Sequence, residues 1–407
     1  MSVLKNKRIL LGVSGGIAAY KACELVRLLV KSGAEVRVMM TKVAEQFVGK
    51  TTFEALSGHP VETDQFNPSV PLAHIALRDG CDLMVIAPAT ANIIAKTACG
   101  IADDLVSTTI LARACPLLIA PAMNVRMWNN VVTQRNVCQL QCDGVFFSGP
   151  DSGELACGEN GCGRMSEPQH LLEDIEAVFT PKVLEGKRVL ITGGPTFEAI
   201  DPVRGITNLS SGKQAAAIAK AARNAGAEVT LVSGAVSARI PHGVRLISVT
   251  GAQDMKSAVL QEAAHQHPDI FISVAAVCDF RVENPSAKKI KKEDSTETLT
   301  LTLVKNPDIL QETAKSGLCR VCVGFAAESE DLVENGMKKL QKKGADLIVA
   351  NHSSAIGQDS NRAYFITKAG AEALEEMSKE ELAQRIILEA SNILSQKTHE
   401  STNQNSR

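Results

Sequence analysis

KRILLGVSGGIAAYK, residues 7–21, is the stretch on which the fold turns. A basic pair precedes a continuous apolar run, Ile9–Val13, and a turn of small residues then opens a stretch with helical spacing. The second half repeats that order in KRVLITGGPTFEAID, residues 187–201. Two more echoes follow: GAEVRVMMT (33–41) with GAEVTLVSG (226–234), and CDLMVIAPA (81–89) with PDIFISVAA (268–276). Later apolar runs are PLLIAPAM (116–123) and VFFSG (145–149), then RVCVGFAA (320–327) and ADLIVAN (345–351). The runs are continuous rather than alternating, the pattern of strands buried on both faces of a parallel sheet. Between them, Ile17, Tyr20, Leu25, Leu28 and Leu29 share the spacing of one helix face. The alanine-rich Ala215–Ala225 reads as a helix stopping near Gly226. Strand–helix alternation, twice over, predicts an α/β protein of two Rossmann-like, doubly wound parallel-sheet domains. In such sheets ligands bind beyond the carboxyl ends of the strands.

At about 150 residues per domain, 407 residues allow two or three domains. The duplication selects two, 1–186 and 187–395, joined through the polar TPKVLEGK (180–187). Leu171–Phe179 reads as the helix closing the first. The polar tail 396–407 is expected to be disordered, and Glu283–Glu297, dense in Lys and acids, to be mobile. Lys and Arg total 43 against 45 Asp and Glu, so the basic excess of a nucleic-acid binder is missing. Eleven Phe, two Tyr and one Trp are too few to build stacking platforms for single strands. No apolar run nears the roughly 18 residues of a membrane span, and Ile9–Val13 is short for a signal-peptide core, so a cytoplasmic location is expected. Eleven cysteines, an odd count, suit a reducing compartment where most serve as small hydrophobes.

In the first half, Ser14, Gly15 and Gly16 follow a strand and precede a helix, a place where backbone N–H groups approach an anion, or where the chain merely turns. The turn lacks GxGxxG, which argues against a nicotinamide enzyme. PATAN (88–92) and PAMNVRMW (121–128) put proline, small residues and asparagine at strand ends. Asn124 suits either a turn or a hydrogen bond to a carboxylate, and His74, beside apolar neighbours, either packing or proton transfer. The glycine-rich GPDSGELACGENGCGRM (149–165) has little core to bury and reads as a lid carrying Cys157. Cys157 and Cys162 lack zinc spacing, while Cys319 and Cys322 form CxxC at the entrance of an apolar strand and read as core.

In the second half, TGGPTFEAIDPVRGITNLSSGK (192–213) is not a P-loop. Its Arg204, Asn208, serines and Lys213 suit phosphate binding, or a solvated loop. AAVCDF (275–280) ends a strand with Asp279, and KKIKK (288–292) is a solvated face or an anion grip. KNPDIL (305–310), GFAAES (324–329) and Lys339 with Lys343 complete the set.

GVSGGIAAYK, PATAN, PAMNVRMW and ACGxxGxGRM together resemble the flavodoxin-like, flavin-dependent cysteine decarboxylases. The second half resembles the phosphopantothenate–cysteine ligases, so residues 7–395 resemble the bifunctional family of bacterial coenzyme A biosynthesis. The resemblance implies FMN held by Ser14, Gly15, Gly16 and Thr41 with Pro88, Ala89, Thr90 and Asn92. It implies His74 as base, Asn124 on the substrate carboxylate and Cys157 as proton donor. For the ligase half it implies CTP, which with Mg²⁺ activates phosphopantothenate as an acyl-cytidylate; the metal's ligands stay open. Asn208 would contact that intermediate, and Lys289 would act from a closing loop. Ser273, Val274, Ala275, Asp279, Lys289, Pro307, Asp308, Ile309, Leu310, Phe325, Lys339 and Lys343 would line the CTP site. It also implies trimeric decarboxylase units and paired ligase units, with small molecules as the other partners. Cys278 and Phe280 depart from the family's commoner Ala and Tyr. Some relatives are phosphatase-inhibiting subunits that lack part of the His–Asn–Cys set; all three residues are present here.

Overall fold

A computed structural model describes residues 3–291, 298–328, 330–352 and 360–404. The chain divides into two units, Met1–Thr180 and Pro181–Arg407.

In the first unit the elements run β1 (Arg8–Val13), α1 (Ala19–Lys31), β2 (Glu35–Met40), α2 (Lys50–Ser57), β3 (Val61–Glu62), α3 (Ala73–Arg78), β4 (Leu83–Ala89), α4 (Ala91–Cys99), α5 (Leu105–Ala112), β5 (Leu117–Pro121), α6 (Val125–Trp128), α7 (Val131–Cys142), β6 (Phe146–Phe147), β7 (Asp151–Glu154), β8 (Asn160–Arg164) and α8 (Pro168–Val178). One sheet has the order β3-β2-β1-β4-β5-β6, every pair parallel. With the two-residue β3 set aside, the order is that of flavodoxin-like sheets, reversing between β1 and β4. The apolar runs form strands because both sheet faces are covered. Ile9, Leu11 and Val13 pack against Leu25, Phe53 and Leu171 on one side. Leu10, Met84 and Ile86 pack against Ile94, Val106 and Val137 on the other. The face of α1 differs from expectation: Ala22, Leu25, Val26 and Leu29 are buried, whereas Ile17, ahead of the helix, and Tyr20 are exposed.

The second unit runs β9 (Arg188–Gly193), β10 (Phe197–Ala199), β11 (Gly205–Thr207), α9 (Lys213–Asn224), β12 (Glu228–Ser233), β13 (Arg245–Ser248), α10 (Ala252–Gln266), β14 (Ile270–Ser273), β15 (Phe280–Val282), β16 (Leu303–Lys305), α11 (Ile309–Ser316), β17 (Val321–Glu328), α12 (Leu332–Lys343) and β18 (Leu347–His352). Its main sheet has the order β13-β12-β9-β14-β17-β18, all parallel, reversing between β9 and β14. Two antiparallel strands, Ala363–Thr367 and Gly370–Ala373, extend the β18 edge. The alanines of α9 let the last helix, α13 (Lys379–Gln404), pack closely, with Ile218 and Ala222 in one core with Ile386 and Ala390. Residues 396–404, expected as a disordered tail, continue α13. Leu184, inside the segment read as linker, is fully buried in this core, so the segment belongs to the second unit. Burial pushes the thiols of Cys319 and Cys322 up to about 12, and both are free, as suits packing residues. Among the described residues no helix is long and apolar enough to cross a membrane.

Ile386 is fully buried under the sheet. Ile386→Ala removes packed methylenes and is expected to cost about 2–5 kcal/mol. Urea unfolding of the full chain checks this through a lowered midpoint.

Candidate functional sites

At each reversal point, neighbouring loops leave the sheet in opposite directions and open a crevice. In both units a buried hydroxyl ties the two loops together. In the first, Ser14, 2% exposed, donates from Oγ to the Pro88 carbonyl at 2.8 Å and accepts from the Thr90 N–H at 3.1 Å. Thr90 in turn caps α4, accepting from the Ile93 N–H. In the second, Thr196 Oγ1 accepts from the Cys278 N–H at 3.0 Å and Thr192 Oγ1 from the Ala275 N–H at 3.4 Å; both threonines are fully buried.

The first crevice is a cleft of about 470 Å³ lined by Ser14, Gly15, Thr41, Thr90, Asn92 and, from beyond the sheet ends, Asp64 to Phe66, Lys96, Asp103, Asp104 and Met127. The N–H groups of Gly15 and Gly16 make no hydrogen bond within the described residues. A Cβ on Gly15 would meet Val43 Cγ1 at 2.5 Å, so only glycine brings this loop so close to the segment after β2. Pro88 and Ala89, expected at the cofactor, are buried in β4 behind the cleft, where the Pro88 carbonyl orients Ser14. Gly16 is absent from the lining. Lys96 pairs with Asp103 at 2.7 Å and Asp104 at 3.0 Å. Burial alone would lower its ammonium, but these two carboxylates outweigh that and hold it above its usual range.

His74, Asn124 and Cys157 do not line this cleft. His74 lies on α3, its Nδ1 buried and unpartnered among the described residues. Asn124 and Cys157 are brought together. The Asn124 carbonyl oxygen caps α6 by accepting from the Arg126 N–H at 2.8 Å, while Nδ2 donates to Cys157 Sγ at 3.3 Å and to Glu159 Oε2 at 2.5 Å. The expected lid is the hairpin β7–β8, its inner strand packed backbone-on-backbone against the PAMN loop. The Met123 N–H donates to the Gly163 carbonyl at 2.9 Å. A Cβ on Gly163 would stand 2.3 Å from the Met123 carbonyl oxygen, and one on Gly161 2.6 Å from Val125 Cγ2. The glycines of ACGxxGxGRM therefore permit close seating. At the hairpin's far end, buried Lys21 on α1 donates to the Met165 carbonyl and Glu167, both at 3.0 Å. Burial would raise the Glu167 carboxyl, yet Lys21 and Arg164 outweigh it and hold it below its ordinary value.

In the second unit a cleft of about 250 Å³ is lined by Ser273, Ala275, Asp279, Pro307, Asp308, Ile309, Leu310, Phe325, Lys339 and Lys343, which is the expected nucleotide set except Val274 and Lys289. Val274 lines an adjoining cleft of about 720 Å³ with Asn208, Ser210, Ser211 and Lys213. Ala275, Phe325 and Lys339 border both. Asn208 Nδ2 donates to the Ala276 carbonyl at 3.1 Å. Lys339 Nζ donates to the Phe325 carbonyl at 2.6 Å, and Lys343 pairs with Asp308. Burial lowers the Lys343 ammonium, with Asp279 opposing the shift. Beyond residue 326, side chains of GFAAES lie outside the described residues.

Lys289 is exposed and lines neither cleft. Its segment, expected to be mobile, is pinned beside it, while residues 292–297 lie outside the described residues. The buried Asp201 accepts from the Ile290 N–H at 3.1 Å and from Arg204, whose Nη2 donates to the Ile290 carbonyl at 2.9 Å. The Arg204 guanidinium holds the Asp201 carboxyl well below the usual range. Sequence reading missed both Asp201 and Glu159. The Asp201–Arg204 spacing and the acid two residues after Cys157 were the available signals, but their partners Ile290 and Asn124 are remote in sequence.

Residues 2–180 match the family model described as Flavoprotein, and residues 184–394 the DNA/pantothenate metabolism flavoprotein C-terminal domain. The chain is 47% identical over 395 residues to the coenzyme A biosynthesis bifunctional protein of Vibrio cholerae, covering 95% of this chain and 98% of that one. It is 46% identical to that of Bacillus subtilis over 399 residues (95% and 97% covered) and 43% identical to that of Escherichia coli K12 over 393 residues (94% and 96%).

Two outcomes follow from the contacts. Gly163→Ala unseats β8 from the PAMN loop, and limited proteolysis then cuts the hairpin at least about tenfold faster, since a local opening free energy reads directly as cleavage rate. Asp201→Asn weakens the clasp on Ile290, so trypsin cleaves at Lys288 and Lys289 faster than in the unsubstituted protein, while cleavage elsewhere keeps its rate.

Proposed function

The chain belongs to the coenzyme A biosynthesis bifunctional proteins, and from that premise we propose how its two halves divide the work. It is a two-activity enzyme, a phosphopantothenate–cysteine ligase joined to a flavoprotein phosphopantothenoylcysteine decarboxylase. The observation carrying the residue assignments is the gathering of the nucleotide set, drawn from four separate stretches of chain, around one cleft at the second reversal point.

In the ligase half CTP is the co-substrate. The carboxylate of phosphopantothenate attacks the α-phosphate, diphosphate leaves, and an acyl-cytidylate forms. The cysteine amine then attacks the acyl carbon, and CMP departs with the bonding pair. Ser273, Val274, Ala275 and Pro307 to Leu310 bound the nucleotide, with Phe325 as an apolar wall. Lys339 and Lys343 supply positive charge to the phosphates, which matters most where charge accumulates in the transition state. Asp279 and Asp308 are hard oxygen donors that suit Mg²⁺ accompanying the triphosphate. Asn208, oriented by the Ala276 carbonyl, contacts the acyl intermediate from the adjoining cleft. Lys289 serves amide formation from the segment that Asp201 anchors.

In the decarboxylase half the first cleft fits FMN. Unpaired N–H groups at Gly15 and Gly16 suit a phosphate, and Thr41, Thr90 and Asn92 offer further polar contacts. Bound FMN supplies the two-electron sink without which loss of the carboxylate would leave an unstabilised carbanion. Asn124 holds the substrate carboxylate, His74 acts as base, and Cys157 returns the proton to carbon from Sγ. Pro88 and Ala89 support Ser14 from behind. Exposed Ile17, Tyr20, Leu72 and Leu111 offer apolar surface for association of copies into decarboxylase trimers, while ligase units pair. The enzyme works in the cytoplasm.

The test is purified protein with phosphopantothenate, cysteine, CTP and Mg²⁺. A yellow protein yielding phosphopantetheine and CO₂ is expected; a colourless protein that consumes no CTP overturns the reading. With Cys157→Ser, ligation continues and an oxidised, decarboxylated species accumulates. Undiminished phosphopantetheine from that variant would remove Cys157 from the mechanism.

A further inference from the structure

Asn124 has a small hydrogen-bonding inventory, and its amide nitrogen already makes two contacts. Its amide oxygen caps α6 through the Arg126 N–H. Its Nδ2 donates to Glu159 Oε2 at 2.5 Å and to Cys157 Sγ at 3.3 Å. An amide nitrogen offers two protons and no more. The donor assigned above to the substrate carboxylate is thus already held by a carboxylate of this chain. The same Glu159 oxygen accepts from Cys157 Sγ at 3.8 Å. Two carboxylates cannot share this amide without like-charge repulsion. Glu159 has somewhere to go: Arg126 Nε stands 3.5 Å from its other oxygen, with the Arg126 side chain 87% exposed and that of Glu159 37%. Leu155 donates its N–H to the Glu159 carbonyl at 2.8 Å, so the side chain can turn to Arg126 while the hairpin tip keeps its backbone bond.

We propose that Glu159 is a positioning residue of the decarboxylase site: it occupies Asn124 until a substrate carboxylate displaces it towards Arg126. The inference rests on the reading of Asn124 as the carboxylate contact. Displacement costs the Glu159–Asn124 bond, so every carboxylate that enters binds more weakly by that amount, while a ligand without a carboxylate is unaffected. N-acetylcysteine carries a carboxylate and little else, so it reports that common cost directly. Glu159 forms no bond to substrate and transfers no proton; it acts through Asn124.

The experiment uses the full-length, FMN-loaded enzyme and Glu159→Gln, which keeps shape and removes charge; an unchanged flavin spectrum and melting temperature establish that it folds. An amide is a weaker acceptor than a carboxylate, so the incumbent is easier to displace. The KM for phosphopantothenoylcysteine is expected to fall about three- to tenfold with kcat within about twofold, and N-acetylcysteine to inhibit about three- to tenfold more strongly, each on the scale of one charge-assisted hydrogen bond weakened. The affinity for phosphopantetheine, which has no carboxylate, stays unchanged. If Glu159 only braced the hairpin, KM would rise as kcat fell and both ligands would weaken together; that result, or no change in KM, overturns the proposal. Asn124→Ala separates the two claims. Should it weaken carboxylate-bearing and carboxylate-free ligands equally, the reading of Asn124 fails irrespective of Glu159; should it weaken only the former while Glu159→Gln changes nothing, the inference alone fails.

Discussion

A single buried hydroxyl ties together the two strand ends that flank the first unit's cleft. Ser14 joins the end of β1 to the end of β4 by donating to the Pro88 carbonyl and accepting from the Thr90 N–H. Those strands are neighbours, yet their following helices pack on opposite faces, so the loops must diverge. Divergence strands backbone groups that the sheet would otherwise pair, and buried polar groups left unpaired are costly. The Ser14 hydroxyl satisfies the Thr90 N–H and adds a second bond to the Pro88 carbonyl, which also accepts from the Ser14 N–H at 3.3 Å. In the second unit Thr192 and Thr196 perform this task between β9 and β14. The same solution arises twice because the same reversal of strand order arises twice.

Close approach is the second constraint. Gly234 stands where a Cβ would lie 1.8 Å from the Pro195 carbonyl oxygen, and Gly163 where it would lie 2.3 Å from that of Met123. In each case a backbone carbonyl, which cannot move aside as a side chain can, occupies the space. Glycine at these two positions thus sets how near one segment lies to the next. Lys21, Glu167 and Arg164 fasten one end of the lid hairpin, leaving its tip with Cys157 at the surface.

Charge is distributed on the same local scale. A chain with a net charge of −2 sets Lys339 and Lys343 beside Asp279 and Asp308 in one cleft, and Lys96 against Asp103 and Asp104 in another.

Continuous apolar runs, their duplication and the small-residue turns were enough to establish two doubly wound sheets, because a strand buried on both faces has no other way to be written. The family resemblance named Ser14, Thr41, Thr90, Asn92 and most of the residues that line the second cleft, which stand near strand ends at the sheet's carboxyl edge. Spacing misjudged α1: Ile17 lies before its first turn, and Tyr20 points away from the core. Polar content marked the tail as disorder, but its residues 396–404 continue α13, which Leu382, Ile386 and Ala390 anchor. Sequence alone thus determined the central strands of both sheets and the turns at their ends, while β3, β13 and the edge strands Ala363–Thr367 and Gly370–Ala373 emerged only in the fold. Only the tertiary structure decided that Asn124 meets Glu159 and Cys157, and that Asp201 clasps Ile290. Those pairs are separated by tens of residues and joined by hydrogen bonds of single atoms, and such bonds leave no periodic trace in a sequence.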